Sequence, residues 1–145
     1  MKKISPLLYL PLLAVLTSSI FISKVTFAED EFTVAVSPDI DITVEQFPAK
    51  GKHLVLWLAP EYGLREGHRS LARLLTQQDI EVWQANIVES LFLPQGTGSL
   101  KKLNGKYVAD LIQYAHKTTG KKIIVLGDSY ASLSALRGAH QWQQR

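Results

Sequence analysis

Ser129 is the residue in this chain best placed to do chemistry. It stands in Gly127-Asp128-Ser129-Tyr130-Ala131, between a branched apolar run (Ile123, Ile124, Val125, Leu126) and a segment with small residues at Ala131, Ser132 and Ala135. An apolar run broken by Gly-Asp-Ser predicts a buried strand, a sharp turn and then a helix. Each part has a chemical use. The strand fixes the hydroxyl in space, and the turn forces it out of the chain in a strained conformation. The helix start leaves backbone N–H groups without intrahelical partners, and these stabilise negative charge developing on an attacked carbonyl. Small flanking residues let strand and helix approach closely. The same letters also fit an ordinary β-turn-α junction in which Asp128 or Ser129 only caps the helix.

Strand, tight turn with serine at the apex, then helix is the layout of a nucleophile elbow. Gly127-Asp128-Ser129-Tyr130-Ala131 resembles the Gly-x-Ser-x-Gly elbow of the α/β-hydrolase family, with Ala131 in the last position. Ser132, Ala135 and Leu136 fit the small residues and Ala-Leu that follow it. The resemblance implies an esterase-, lipase- or amidase-like acyl hydrolase acting on a small ester or amide without a cofactor. It implies Ser129 as nucleophile and the Tyr130 N–H as one oxyanion donor. The family takes a second donor from the loop after its third strand, usually beginning His-Gly. Here that loop reads Leu58-Ala59-Pro60-Glu61-Tyr62-Gly63, and Pro60 has no N–H to give. The second donor therefore falls to the N–H of Glu61 or Tyr62.

The remaining triad members are harder to place. In α/β hydrolases the order is serine, acid, histidine. Sixteen residues follow Ser129, and they hold His140 and no Asp or Glu. His140 lies eleven positions along the same predicted helix. That is ~16 Å at ~1.5 Å per residue, whereas a general base works at about 3 Å. His53 starts a strand, His116 sits near the end of a helix and His68 opens one, and none has an orienting carboxylate at a telling spacing. The triad acid and base are thus expected outside this chain. Metal sites are not expected, since cysteine is absent and there is no His-x-x-x-His or His-Glu-x-x-His. Gly96-Thr97-Gly98-Ser99 lacks the Lys that completes a phosphate loop and reads as a turn.

The elements that must position Ser129 follow from periodicity. Residues 32–36 and 40–45 alternate apolar and polar around Ser37-Pro38-Asp39, predicting an antiparallel pair. Residues 53–59 are nearly all apolar, as in a strand covered on both faces. A helix over 66–77 would bury Leu71, Leu74 and Leu75, and a strand over 80–87 follows. Residues 88–102, with Pro94, Gly96 and Gly98, predict a long loop. A helix over about 102–118 would bury Val108, Leu111, Ile112 and Ala115 and stop at Gly120. The order β-β-β-α-β-α-β-α predicts an α/β fold with a mostly parallel sheet and an N-terminal antiparallel pair. It resembles the first half of an α/β-hydrolase fold.

The first 28 residues belong to a different category. Lys2 and Lys3 precede an uncharged apolar stretch over 4–23, and Thr26-Phe27-Ala28 is a small-x-small cleavage site. This reads as a secretory signal cleaved after Ala28, with an uncleaved membrane anchor as the alternative. Export to the periplasm or the medium is expected, leaving 29–145 as the hydrolase-like domain. The segment carries Lys2, Lys3 and Lys24 and no acid, so the remainder has 13 basic and 13 acidic residues. The net positive charge of the whole chain therefore does not point to nucleic acid.

In the resembling fold, further parallel strands lie beyond the elbow strand. Without them the edge at Ile123–Leu126 would be open, long and apolar, inviting self-association. The chain is accordingly expected to be the N-terminal part of a longer serine hydrolase, inactive alone. Two alternatives remain. One is a non-catalytic interaction protein with a hydrolase half-fold. The other is a GDSL-type hydrolase, whose Gly-Asp-Ser block opens the domain.

Overall fold

The computed structural model describes residues 29–145; the expected signal or anchor, 1–28, lies outside the described residues. Five strands form one sheet in the order β1-β2-β4-β3-β5. They are β1 (Asp30–Ser37), β2 (Ile40–Phe47), β3 (His53–Leu58), β4 (Ile80–Ala85) and β5 (Lys122–Gly127). β1 pairs antiparallel with β2, and β2 antiparallel with β4. β3 runs parallel to both β4 and β5. The helices are α1 (Glu66–Thr76), the short α2 (Ile87–Ser90) and α3 (Thr97–Lys102), α4 (Gly105–Thr119) and α5 (Ala131–Gln143). The expected architecture of an antiparallel pair followed by parallel strands is what the chain adopts.

Side-chain alternation assigns the two faces. Leu54, Leu56 and Leu58 of β3 point toward α4 and α5 and join Val108, Leu111, Ile112, Ala115, Ala131 and Ala135 in the larger core. Val55 and Trp57 point the other way and pack with Phe47, Val82 and Ala72 beneath α1. The stripe expected on α4 is buried as its spacing implied. Gly120 ends that helix in the left-handed conformation, φ +64°. One carboxylate, Glu81, is buried at the start of β4. Gln46 Nε2 donates to it at 2.7 Å and Trp83 Nε1 at 2.6 Å, and Lys121 pairs with it.

Two expectations are corrected. The stretch over 88–102 is not a continuous loop. The strand before it ends at Ala85, and Asn86 caps α2 by accepting the Glu89 N–H at 3.2 Å. The leucine stripe of α1 is not its buried face either. Of its three leucines only Leu75 packs on the core, beside the buried Ala72, while Leu71 and Leu74 are exposed. Arg69 and Arg73 on one flank reach Glu45 and Glu29. At 3.6 residues per turn, Leu71 then lies on the opposite flank, and Leu74 points away from the sheet. β5 occupies the sheet edge, and its Ile124 and Leu126 are exposed on that same face.

Candidate active site

The end of β5 and the start of α5 put Ser129 where the spacing predicted. Its φ is +52°, a left-handed conformation that a non-glycine residue adopts at a cost of ~1–3 kcal/mol. The turn before it depends on Gly127. A Cβ there would lie 2.5 Å from the Ala131 carbonyl oxygen, so strand and helix could not approach as closely. α5 then begins with tight turns: the N–H groups of Ala131, Ser132 and Leu133 donate to the carbonyls of Asp128, Ser129 and Tyr130. Among the described residues the Tyr130 N–H donates to no backbone carbonyl.

The loop after β3 faces this elbow. The Gly63 N–H donates to the Pro60 carbonyl at 3.0 Å, closing a turn with Glu61 and Tyr62 at its centre. The Gly96 N–H donates to the Glu61 carbonyl at 2.8 Å, anchoring the turn from α3's side. The Glu61 N–H, like that of Tyr130, has no backbone acceptor among the described residues. The Glu61 side chain turns toward the elbow and accepts the Ser129 hydroxyl at 3.2 Å. Its own backbone N–H, then the Ser129 hydroxyl and the Tyr130 N–H, hold its carboxyl below the ordinary value of 4.5 against the opposing effect of desolvation. Its second oxygen, Oε2, is shut off from solvent and has no hydrogen-bond partner among the described residues. Ser129, Tyr130 and Glu61 are thus brought together. Sequence reasoning chose Glu61 for its N–H and did not foresee its carboxylate on the serine.

A histidine does meet a carboxylate here, contrary to the sequence reading. His68 Nε2 lies 3.2 Å from Asp128 Oδ2, across sixty positions of sequence. The Arg65 N–H donates to His68 Nδ1 at 2.8 Å as part of the α1 cap. Nδ1 therefore accepts, and Nε2 carries the proton given to Asp128. With both ring nitrogens engaged, His68 has no lone pair for Ser129. It fastens the elbow to α1, and its ring stands edge-on to Trp57 at 5.7 Å. His140 is exposed on α5, away from the elbow. Among the described residues no group of three or more candidate ligands gathers around a metal position.

A cavity of about 780 Å³ opens beside the same loop. Tyr62, Gly63, Gln84 and Asn86 line it, with Glu89, Leu91, Phe92 and Gln95 from the stretch between β4 and α4. Ser129 is not among its lining residues.

Among solved structures, the chain is similar to an α/β-hydrolase fold protein of unknown function, with TM-score 0.58 and 16% identity over 77% of this chain. It is also similar to a thioesterase domain from the curacin biosynthetic pathway, with TM-score 0.54 and 11% identity over 74%. A third is the siderophore hydrolase EstB from Aspergillus fumigatus, with TM-score 0.54 and 15% identity over 83%. The chain spans 37–38% of the length of these three proteins. No family model matches it, and no match was found among curated proteins. The fold is therefore that of part of an α/β hydrolase, with Ser129 at the position where strand gives way to helix.

Proposed function

We propose that the chain is the nucleophile-bearing part of an exported serine hydrolase that cleaves small esters or amides. The observation that carries this reading is Ser129 at φ +52° between β5 and α5. Asp79 and Phe92 also have positive φ, so the reading rests on that conformation falling on a hydroxyl at the strand-to-helix turn. Ser129 Oγ attacks the carbonyl, and the Tyr130 and Glu61 N–H groups receive the developing oxyanion. The base that takes the hydroxyl proton, with its orienting acid, comes from chain following Arg145. The engaged His68 and the distant His140 support that assignment. A GDSL-type arrangement is disfavoured because four strands precede the elbow.

Two steps test the reading. The gene downstream of the Arg145 codon is read first and is expected to encode further strand–helix units with an Asp and a late His. The full chain is then treated with a fluorophosphonate, which is expected to label Ser129 and to leave Ser129→Ala unlabelled. Equal labelling of both, or of neither, overturns the assignment. The exposed edge of β5 favours a second reading, in which a copy of this chain pairs along residues 122–127. A defined oligomer in size-exclusion chromatography supports it, and a monomer or polydisperse aggregate rejects it.

A further inference from the structure

We propose that the cavity of about 780 Å³ over β1 and β2 binds a linear diamine or polyamine, whose inner ammonium group donates to Gln84 Oε1. Ser129 does not line this cavity, and the proposal does not rest on the reading of that residue as a nucleophile.

Strand register builds the floor. Directly opposed residues of an antiparallel pair project to the same face. Glu31 of β1 stands opposite Glu45 of β2, and Glu45 stands opposite Gln84 of β4. One row across three strands therefore carries two carboxylates and an amide, on the side of the sheet where α1 lies. Asp41, four residues before Glu45 on β2, shares that face. Like charges directly opposed across a strand pair repel and destabilise it. Arg69 answers part of that repulsion by donating to both carboxylate oxygens of Glu45, at 2.7 and 2.5 Å. Among the described residues no Lys or Arg pairs with Glu31, Asp39 or Asp41. With Glu89, five carboxylates and one guanidinium line the cavity.

Gln84 distinguishes this cavity from an ordinary acidic surface. The residue is fully buried and lines the cavity from β4. Its Nε2 donates to the His68 carbonyl at 2.9 Å, which fixes the orientation of the amide. Oε1, on the other arm, is closed to bulk water and has no hydrogen-bond partner among the described residues. A buried acceptor without a donor is costly and uncommon. What it lacks is an N–H or O–H, and a ligand entering from the cavity supplies it.

The carboxylates and the empty acceptor together select the ligand. A bare metal ion brings no hydrogen to Oε1, and among the described residues no three candidate ligands converge on one point. The charges are spread instead: four residues of extended strand separate Asp41 from Glu45 by ~13 Å. Separated positive charges on a flexible chain match that spread. A primary ammonium supplies positive charge and three N–H donors at once. The exposed rings of Tyr62 and Phe92 stand at the rim, where they cover the methylenes between the charges and face the outer ammonium.

The test is calorimetric titration of the full chain at an ionic strength of about 0.15 M. The probes are spermidine, 1,4-diaminobutane, n-butylamine and magnesium chloride. Spermidine and 1,4-diaminobutane are expected to bind saturably, n-butylamine about five-fold more weakly than the diamine, and magnesium not at all. Glu31→Gln combined with Asp41→Asn changes only exposed side chains and should weaken spermidine about five-fold. Gln84→Met keeps the volume, removes the acceptor and should weaken it about ten-fold. No saturable amine binding to wild type overturns the proposal. Magnesium binding as tightly as spermidine, or equal affinity in wild type and the double variant, also overturns it, leaving a diffuse acidic surface. Undiminished binding to Gln84→Met overturns the role of Oε1. If that variant does not fold, the side-chain amide resonance of Gln84 in wild type reads the same contact: a shift on saturation with spermidine supports it, and no shift overturns it.

Discussion

On the face covered by α4 and α5, Leu54, Leu56 and Leu58 of β3 meet Val108, Leu111 and Ile112, and all six are 2% exposed or less. On the other face α1 alone lies over Val55, Trp57 and Val82, while Ile124 is 47% exposed and Leu74 56%. The residue types are the same on both faces. What differs is cover. Two helices brought to contact by small residues seal the first face: Gly138 of α5 lies so close to α4 that a Cβ would come within 2.3 Å of Val108. The second face has one helix, tied by Arg69 and Arg73 toward β2 and the start of β1, which leaves its β5 side open. Burial therefore reports the arrangement of helices and cannot be read from hydrophobicity alone.

The comparison can be tested by substitution. Leu56→Ala on the sealed face is expected to cost about 3–5 kcal/mol in urea unfolding. A loss below about 1 kcal/mol would mean that this face is loosely packed. Val55→Ala, one residue along on the α1 face, removes two methyl groups at a buried position and is expected to cost about 1.5–2 kcal/mol. Equal losses at positions 55 and 56 would erase the contrast between faces. Ser129→Gly is expected to stabilise by about 1 kcal/mol, because glycine adopts φ +52° without the Cβ penalty. Ser129→Ala should give no such gain, and an equal gain would place the effect in the hydroxyl. Leu74→Ser on the outer side of α1 should stay within about 0.5 kcal/mol of wild type. A larger loss would show that something covers that side of the helix.

A smaller effect is expected in the pH dependence. The lowered carboxyl of Glu61 contributes stability that is complete above its unfolded value and is lost as pH falls through the folded one, which lies below 4.5. The difference in unfolding midpoint between wild type and Glu61→Gln should be constant above about pH 5 and shrink below 4.5. A difference that grows on acidification would mean that Glu61 is not held as an anion.

Much of this was legible in the sequence for physical reasons. Strict alternation in β1 and β2, the continuous apolar run of β3 and the spacing of Val108, Leu111, Ile112 and Ala115 each have one stable use. The elbow was legible because Gly127, Ser129 and Ala131 meet steric demands at fixed positions. Other features were not, because they depend on partners far along the chain. Leu71, Leu74 and Leu75 form a helical stripe, but periodicity cannot say which flank a neighbour will cover. His68 and Asp128 meet across sixty positions, and only the fold brings them together. The α2 turn did leave a signal: Asn86 followed three residues later by Glu89 is a capping-box pattern. Asn86 Nδ2 donates to Glu89 Oε2 at 2.7 Å in addition to the cap itself. The carboxylate of Glu61 left none, since its position depends on two loops meeting.

The placement of β5 has a consequence for assembly in time. Among the described residues, β5 is hydrogen-bonded to β3 alone, through partners as far apart as His53 and Lys122. Closing so long a connection is entropically costly and slow. During synthesis β1 to β4 and α1 can gather before the elbow has left the ribosome. Ser129 is then forced into its strained conformation only after β5 has docked and α5 has closed over α4. The turn at Ser129 therefore closes after the other described elements, so a chain stalled short of that step does not hold Ser129 at its positive φ.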